Sequence, residues 1–259
     1  MVKDIKMAKI ILKFLNFFVD LTVFLALLTA GSYSAYALWD NSRIYAAAEN
    51  VREDMLALKP EVSPLADNRS SFEELREINP DVCAWLSLNN TNIDYPVLQG
   101  KDNLSYINTD VYGNFALAGS IFLDSRCNNG FTDRYCLLYG HHMENSRMFG
   151  DLDLYKDELF FNENSEGLLI LPDRSYSLEI FACLLVPASE GSVFEPQLWR
   201  DDSRGLIDYV LNASVHLRPS VLDRLRSSEE KPQILGMSTC ASEFTDARTV
   251  ILAVMEEEA

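Results

Sequence analysis

The chain has 259 residues, of which 48% are hydrophobic, so it can bury one large core or two small ones. Its formal net charge is −17, and residues 44–259 alone carry 17 Lys/Arg against 36 Asp/Glu, a net charge of −19. Such an acidic domain repels phosphate backbones, and no basic patch with interleaved aromatic residues is present, which disfavours nucleic acid as a partner. Five cysteines are too few for a disulfide scaffold, and their odd number leaves at least one thiol unpaired in a monomer.

The N-terminal segment predicts a membrane anchor. Four lysines between residues 3 and 13 precede an uncharged apolar run at residues 21–39, which is long enough to cross the hydrocarbon core as a helix. Because the basic residues cluster before this run, the positive-inside rule places the N-terminus in the cytoplasm and the remainder outside the cell. A cleaved signal peptide is the alternative, since an Ala-x-Ala sequence at residues 35–37 resembles a peptidase site. We expect an uncleaved, single-pass anchor.

The chain is predicted to have three parts: a cytoplasmic tail and anchor at residues 1–39, a helical linker at 40–70 and a main domain at 71–259. The linker is predicted because apolar residues recur at helical spacing over residues 41–58. Two prolines in residues 59–68 indicate a hinge.

The main domain is rich in short runs typical of β-strands. They cover residues 84–88, 95–98, 119–123, 135–139, 168–171, 176–186, 234–237 and 250–255. Their irregular spacing, with turn residues and helical segments between them, favours an antiparallel β-barrel over a parallel sheet. Helical insertions are expected at residues 148–159 and 202–215.

The last two runs predict a β-hairpin, with Cys240 following the first strand and Arg248 opening the second. The thiol of Cys240 and the guanidinium of Arg248 would then lie close together. A fixed cation nearby favours the thiolate, which is the nucleophilic form of cysteine. The alternative interpretation is a buried cysteine and a surface arginine.

The segment YCLLYGHHMENSRMFGDLDL, residues 135–154, carries two of the three histidines. We expect a buried strand at 135–139, a sharp exit at Gly140, and His141 just past the strand end, where functional groups are often displayed. The third histidine, His216, is expected to be a structural or surface residue.

Four motifs in this order, YGHHM, MFGDL, STC and an Arg eight positions after the cysteine, resemble the class B sortases. The similarity extends from about Phe72 to the C-terminus and includes NPDVCAWLSLNNTNIDYPVLQGKDN and AGSIFLD. The resemblance implies a sortase-type β-barrel and a membrane-anchored, extracellular cysteine transpeptidase.

In such an enzyme Cys240 would attack a peptide carbonyl and form a thioacyl intermediate, and His141 would protonate the departing amine. Arg248 would hold the carbonyl and stabilise its oxyanion. The family pattern places the catalytic histidine directly after Tyr-Gly, hence His141 and not His142.

Four further residues are predicted to bind substrate. Tyr139 and Ser238 each lie two positions before a predicted catalytic residue, so in an alternating strand they would face the same side as that residue. By alignment with the family, Asn103 and Ile107 would line the groove as well.

The resemblance also implies the partners. The enzyme would cut the sorting signal of surface proteins after its Thr and join them to the amine of a cell-wall peptide or its lipid-linked precursor. No cofactor and no metal site is predicted, since the sequence has no Cys-x-x-Cys and no EF-hand spacing. The alternatives are a secreted thiol peptidase that passes the acyl group to water, a pilus-polymerising sortase, and a non-catalytic, membrane-tethered binding module.

Overall fold

The computed structural model describes residues 2–61, 69–240 and 247–258. Its residue contacts divide the chain into two units, Met1–Ala47 and Ala48–Ala259. One helix, α1 (Val2–Leu56), is long enough and apolar enough in composition to cross a membrane. The predicted domain boundaries at residues 39/40 and 70/71 stay predictions, and most of the predicted hinge, residues 62–68, lies outside the described residues.

The second unit contains several short helices. The α-helices after α1 are α2 (Arg69–Ile78), α3 (Glu158–Glu163), α4 (Gly191–Phe194), α5 (Arg204–Ala213) and α6 (Pro219–Ser227). Two 3-10 helices cover Gly150–Lys156 and Pro196–Trp199. The predicted helix at residues 202–215 is therefore confirmed as α5.

The strands alternate with these helices. They are β1 (Val82–Leu88), β2 (Asp94–Leu98), β3 (Ile121–Leu123), β4 (Tyr135–Met143), β5 (Arg147–Met148), β6 (Glu166–Ile170), β7 (Ser175–Pro187), β8 (Ser214–Leu217), β9 (Ile234–Cys240) and β10 (Ala247–Glu257). Each of the eight runs predicted as strands overlaps a strand of the structure, although residues 119, 120 and 171 lie outside the strands.

Eight of these strands close into a barrel. Their order is β10-β9-β4-β3-β2-β1-β6-β7, and pairing of β10 with β7 closes the ring. Closure gives every one of these strands two neighbours and so removes the free sheet edges. The predicted antiparallel barrel with helical insertions is confirmed, although two contacts, β2–β3 and β4–β9, are parallel.

A hydrophobic core lies between α5, α6 and the strands β4, β7, β9 and β10. Leu206 and Val210 of α5 and Leu222 of α6 are buried against residues of these strands, among them Leu137 and Leu252. Burying each such aliphatic side chain contributes about 1.5–3 kcal/mol, which fixes these four strands relative to one another. The strands that carry the candidate site therefore share one hydrophobic core.

Two local expectations were wrong. β4 does not end at residue 139: it continues through Gly140 to Met143 and turns back as β5, so that His142 pairs with Met148. The turn uses left-handed backbone at Asn145 and Ser146, with φ of 58° and 59°. Such residues let two strands reverse within a few positions, so His141 lies within a strand and not on a loop.

The single helix expected at residues 148–159 is also wrong. Met148 belongs to β5, the 3-10 helix ends at Lys156, and α3 starts separately. Asp157 breaks the run because its side chain accepts a hydrogen bond from the backbone N–H of Phe160, which makes it the N-cap of a new helix.

Candidate active site

A cavity of about 290 Å³ opens where β4, β9 and β10 approach one another. Its lining residues come from five separate parts of the sequence. They are Ile107, Tyr139, His141, Ala188, Phe194, Thr239 and Arg248. Apolar side chains thus form most of a pocket that contains one imidazole and one guanidinium, a composition typical of a binding site with a few polar groups.

Backbone pairing brings the three predicted catalytic positions together, and two of them, His141 and Arg248, line this cavity. In the parallel β4–β9 ladder, His141 pairs with Cys240. In the antiparallel β9–β10 ladder, Val250 pairs with Ser238, and the same register continued by two residues places Arg248 opposite Cys240. The three backbone positions therefore lie side by side on adjacent strands, with the cysteine in the middle.

The His141 ring is held by a main-chain carbonyl. Its Nε2 lies 2.7 Å from the carbonyl oxygen of Ile107. A carbonyl oxygen can only accept, so Nε2 carries the hydrogen of this bond and the other ring nitrogen, Nδ1, is the one that can exchange a proton. The main chain is anchored as well, because the carbonyl of His141 accepts from the N–H of Phe149 at 3.0 Å.

The residue before this histidine must be small. A Cβ added to Gly140 would collide with Ile121 and would come within 2.9 Å of the ring of Phe149. Gly140 therefore lets Phe149 pack directly against the strand, and the sharp exit expected there does not occur, since the strand runs on to Met143. The glycine serves close packing and not a turn.

Arg248 contributes a cation to the lining of the cavity. The side chain is half-buried and lines the cavity, and within the described part of the chain it forms no ion pair with Asp or Glu. A guanidinium at this place can donate hydrogen bonds to an oxygen atom in the cavity. Because Thr249 is the next residue on an extended strand, it points to the opposite face, where it is buried.

Tyr139 and Phe194 form one wall of the cavity. Their rings stack with centroids 6.5 Å apart, and the Tyr139 hydroxyl donates to Asp124 Oδ2 at 3.0 Å. Arg126 donates both to Asp124, at 2.7 Å, and to the carbonyl of Phe194, at 2.7 Å. A buried carboxylate and its arginine therefore hold both halves of the wall.

The pKa of Asp124 reflects this network. Burial alone would raise it, but hydrogen bonds from the side chain and backbone N–H of Arg126, together with the charge of Arg126, hold the pKa below its usual range. Asp124 is thus a buried anion at neutral pH, stabilised by its donors.

The other four cysteines have properties unlike those of a nucleophile. Cys83, Cys127, Cys136 and Cys183 are all buried, as expected for three of them from their apolar sequence context, and none lines the cavity described here. Burial raises the pKa of Cys83 and of Cys183 to about 12. Such thiols remain protonated at neutral pH and react slowly.

The remaining histidines lie away from the cavity. His142 Nε2 is 3.2 Å from Asp153 Oδ2, and His216 Nε2 is 2.8 Å from the carbonyl of Lys156. Over the described residues, no group of three His, Cys, Asp or Glu side chains is arranged to hold a metal ion.

Comparisons with known proteins identify the family, although no protein-family model matches the chain. The chain is 34% identical to a class B sortase of Streptococcus pyogenes involved in pilus biogenesis, over 71% of this chain and 97% of that one, with a TM-score of 0.64. It is 30% identical to sortase B of Clostridium perfringens, over 71% and 99% of the two chains, with a TM-score of 0.62. Sortase B of Staphylococcus aureus is 29% identical over 186 residues, which are 72% of this chain and 74% of that protein.

The chain belongs to the class B sortases. It is therefore a cysteine transpeptidase with the β-barrel of that family, and the family expectation drawn from the motifs is confirmed. In this sortase YGHHM lies on β4, STC on β9 and the following Arg near the start of β10, which are three neighbouring strands of the barrel.

The substrate-binding predictions for this sortase divide into two pairs. Tyr139 and Ile107 line the cavity. Asn103 and Ser238 are not among its described lining residues: the Asn103 amide donates to Asp124 Oδ2 at 2.9 Å and accepts from the N–H of Ser125 at 2.8 Å, and Ser238 is fully buried. The half-buried Asn103 amide is thus bound to neighbouring protein groups, and the Ser238 side chain lies inside the protein.

Sequence reasoning missed three lining residues of the sortase cavity, Ala188, Phe194 and Thr239. Thr239 adjoins the predicted nucleophile and could have been included on that ground. Ala188 and Phe194 lie in the segment after β7, about fifty residues before Cys240 in the sequence. Only the fold brings them to the cavity, so no local pattern indicated them.

Proposed function

We propose that this sortase cleaves the sorting signal of surface proteins after its Thr, with Cys240 as nucleophile, His141 as general acid and base, and Arg248 as the oxyanion-binding residue. The observation that supports the proposal is the strand register, in which these three positions are neighbours on adjacent strands while His141 and Arg248 line one cavity. Acyl transfer needs a nucleophile, a proton-transfer group and an oxyanion donor around one carbonyl carbon, and the three residues supply these groups.

The first half-reaction forms a thioester. The Cys240 thiolate adds to the Thr carbonyl carbon, and the guanidinium of Arg248 donates hydrogen bonds to the oxygen that becomes negative. Collapse of this intermediate breaks the peptide C–N bond. His141, as imidazolium, gives its proton to the departing amine, so that the amine leaves neutral.

The second half-reaction consumes the thioester. An incoming amine loses a proton to the now neutral His141 as it attacks the acyl carbon, and the Cys240 thiolate leaves. The wall of Tyr139 and Phe194 lies beside this position.

We propose a cell-wall peptide amine, or its lipid-linked precursor, as acceptor, with the domain outside the cell and α1 as its anchor. The four lysines ahead of the apolar run and the sortase family support this placement. A lysine amine of a second surface protein is the other candidate acceptor, because the Streptococcus pyogenes relative is involved in pilus biogenesis.

The test is a matrix of peptides and amines. The extracellular domain is incubated with Leu-Pro-x-Thr-Gly and Asn-Pro-x-Thr peptides, each with a glycine peptide amine, a lysine side-chain amine or no acceptor, and products are identified by mass spectrometry. We expect ligated product from one peptide class with one amine class. Free acid as the sole product under all acceptors would identify a hydrolase, and no cleavage by wild type beyond that of Cys240→Ala would refute the proposal.

A further inference from the structure

Asp153 connects two strands of the site through its carboxylate. It lies in the 3-10 helix Gly150–Lys156, and Thr249 Oγ1 donates to its Oδ1 at 2.7 Å. Its other oxygen, Oδ2, lies 3.2 Å from His142 Nε2 and 2.8 Å from Lys156 Nζ. One carboxylate thus binds a side chain of β4, a side chain of β10 and a lysine of its own helix.

The two strand partners each follow a residue that lines the cavity. His142 comes directly after His141, and Thr249 directly after Arg248. Since successive side chains of a strand point to opposite faces, Asp153 binds the strands from the face opposite the cavity.

The link crosses the strand that carries the nucleophile. β4 and β10 both pair with β9 and are therefore two strands apart, which is about 10 Å at the usual strand spacing. Asp153 spans this distance together with the His142 and Thr249 side chains. The 3-10 helix is itself fixed, because its residues Leu152 and Tyr155 are buried in the core.

The carboxylate is held in its charged form. Burial works against the charge, but hydrogen bonds from Lys156 and Thr249 outweigh it and keep the pKa of Asp153 below its usual range. A charged acceptor makes shorter and stronger hydrogen bonds than a neutral one, so the link resists displacement of either strand.

We propose that Asp153 is a positioning residue of this sortase: by holding Thr249 and His142, it sets the separation of Arg248 and His141 across Cys240. The role rests on the proposed function of those three residues. Small displacements of reacting groups cost large factors in rate, so loss of the link should lower kcat, while KM, which depends on the peptide groove on the other face, should change little.

The experiment compares Asp153→Asn and Thr249→Val with a matched control, Asp151→Asn. Asp151 lies two residues earlier in the same helix and is buried, but it accepts from the backbone N–H of Asn92, at 2.7 Å, and not from a strand of the site. Wild type and the three variants are assayed for kcat and KM with one sorting peptide, at a temperature well below their thermal unfolding midpoints. Asp153→Asn and Thr249→Val should each lower kcat about tenfold with KM within twofold, and Asp151→Asn should lower the unfolding midpoint but leave kcat within twofold.

The double variant decides between positioning and general loss of stability. If the Thr249–Asp153 bond acts as one unit, Asp153→Asn combined with Thr249→Val should lower kcat by little more than Asp153→Asn alone. A kcat within twofold of wild type in Thr249→Val, or an equal fall of kcat in Asp151→Asn, would overturn the proposal. Should Asp153→Asn not fold, Thr249→Val alone still tests it, and Cys240→Ala in the same assay tests the proposed function separately.

Discussion

At the scale of single residues, the role of Arg248 depends on geometry more than on charge. Its guanidinium is a planar fork of donors that can bind an oxygen in a fixed orientation, whereas a lysine ammonium is a flexible point charge. No carboxylate of the described chain competes for these donors. The arginine is therefore able to serve a negative oxygen that forms during the reaction.

We expect Arg248→Lys to be severely impaired although it keeps the positive charge. Losing one oxyanion donor typically lowers the rate about a hundredfold to a thousandfold, or roughly 3 to 4 kcal/mol. The measurement is the cleavage rate of a sorting peptide, together with the pH dependence of Cys240 alkylation. A variant within about threefold of wild type would leave Arg248 with an electrostatic role only.

A second prediction at this scale concerns the buried anion Asp124. Replacing Arg126 with Gln removes a charged donor, so the free energy of unfolding at pH 7 should fall by about 1.5 to 3 kcal/mol. The folded-state pKa of Asp124 is depressed, so this stability is present above the unfolded pKa of about 3.9 and is lost as the pH falls through the folded value.

Urea unfolding at pH 7 and at pH 3 measures the free energy of unfolding of wild type and Arg126→Gln and shows how their difference depends on pH. The difference between wild type and Arg126→Gln should shrink at the lower pH. Arg204→Gln is the control, because Arg204 pairs with Asp202 at the surface and its loss should have no measurable effect. An equal loss at both pH values would show that Arg126 acts through packing and not through the charge of Asp124.

At the scale of elements, β4 shows which features of a strand can be predicted from a sequence pattern. The apolar run Tyr135 to Tyr139 was enough to predict a strand and to place His141 near its end. The extension to Met143 was not predictable from that run, because it depends on the tight turn at Asn145 and Ser146 and on pairing with Cys240, 99 positions later in the sequence. Local propensity fixes the existence of a strand better than its ends.

Gly140→Ala tests the close packing at this element. The added methyl group collides with Ile121 and the ring of Phe149, so overpacking should destabilise the fold by about 1 to 3 kcal/mol. Because His141 is the next residue, we also expect kcat to fall. Gly191→Ala is the control, since a Cβ there would lie 3.7 Å from Glu195, an ordinary contact. Unchanged stability of Gly140→Ala would mean that Phe149 can move away freely.

At the scale of the whole molecule, three separate motifs become one site because their strands, β4, β9 and β10, are neighbours in the barrel. Their order in the sequence predicted the family and the three candidate catalytic positions. Their adjacency depends on a parallel β4–β9 pairing and on the register of β10, which are long-range contacts without a local signal. For the same reason Phe194, which stacks on Tyr139 from another segment, was not predicted.

The N-terminal segment carries a prediction of its own at this scale. The four lysines before the apolar run should keep the N-terminus in the cytoplasm, so everything after about Asp40 should be open to a protease added to intact cells. An epitope tag at each terminus shows on which side of the membrane that terminus lies. Protection of the C-terminal epitope in intact cells, with digestion after lysis, would refute this topology.

Direct observation of the acyl-enzyme tests the central claim most directly. The second unit, Ala48–Ala259, is mixed with a cleavable sorting peptide without an amine, and its intact mass and peptide map are recorded after rapid quenching in acid. We predict an adduct equal in mass to the acyl fragment ending in Thr, located on Cys240, absent from Cys240→Ala and discharged when an amine is added. An adduct on one of the other four cysteines, or turnover of the peptide by Cys240→Ala, would contradict the mechanism.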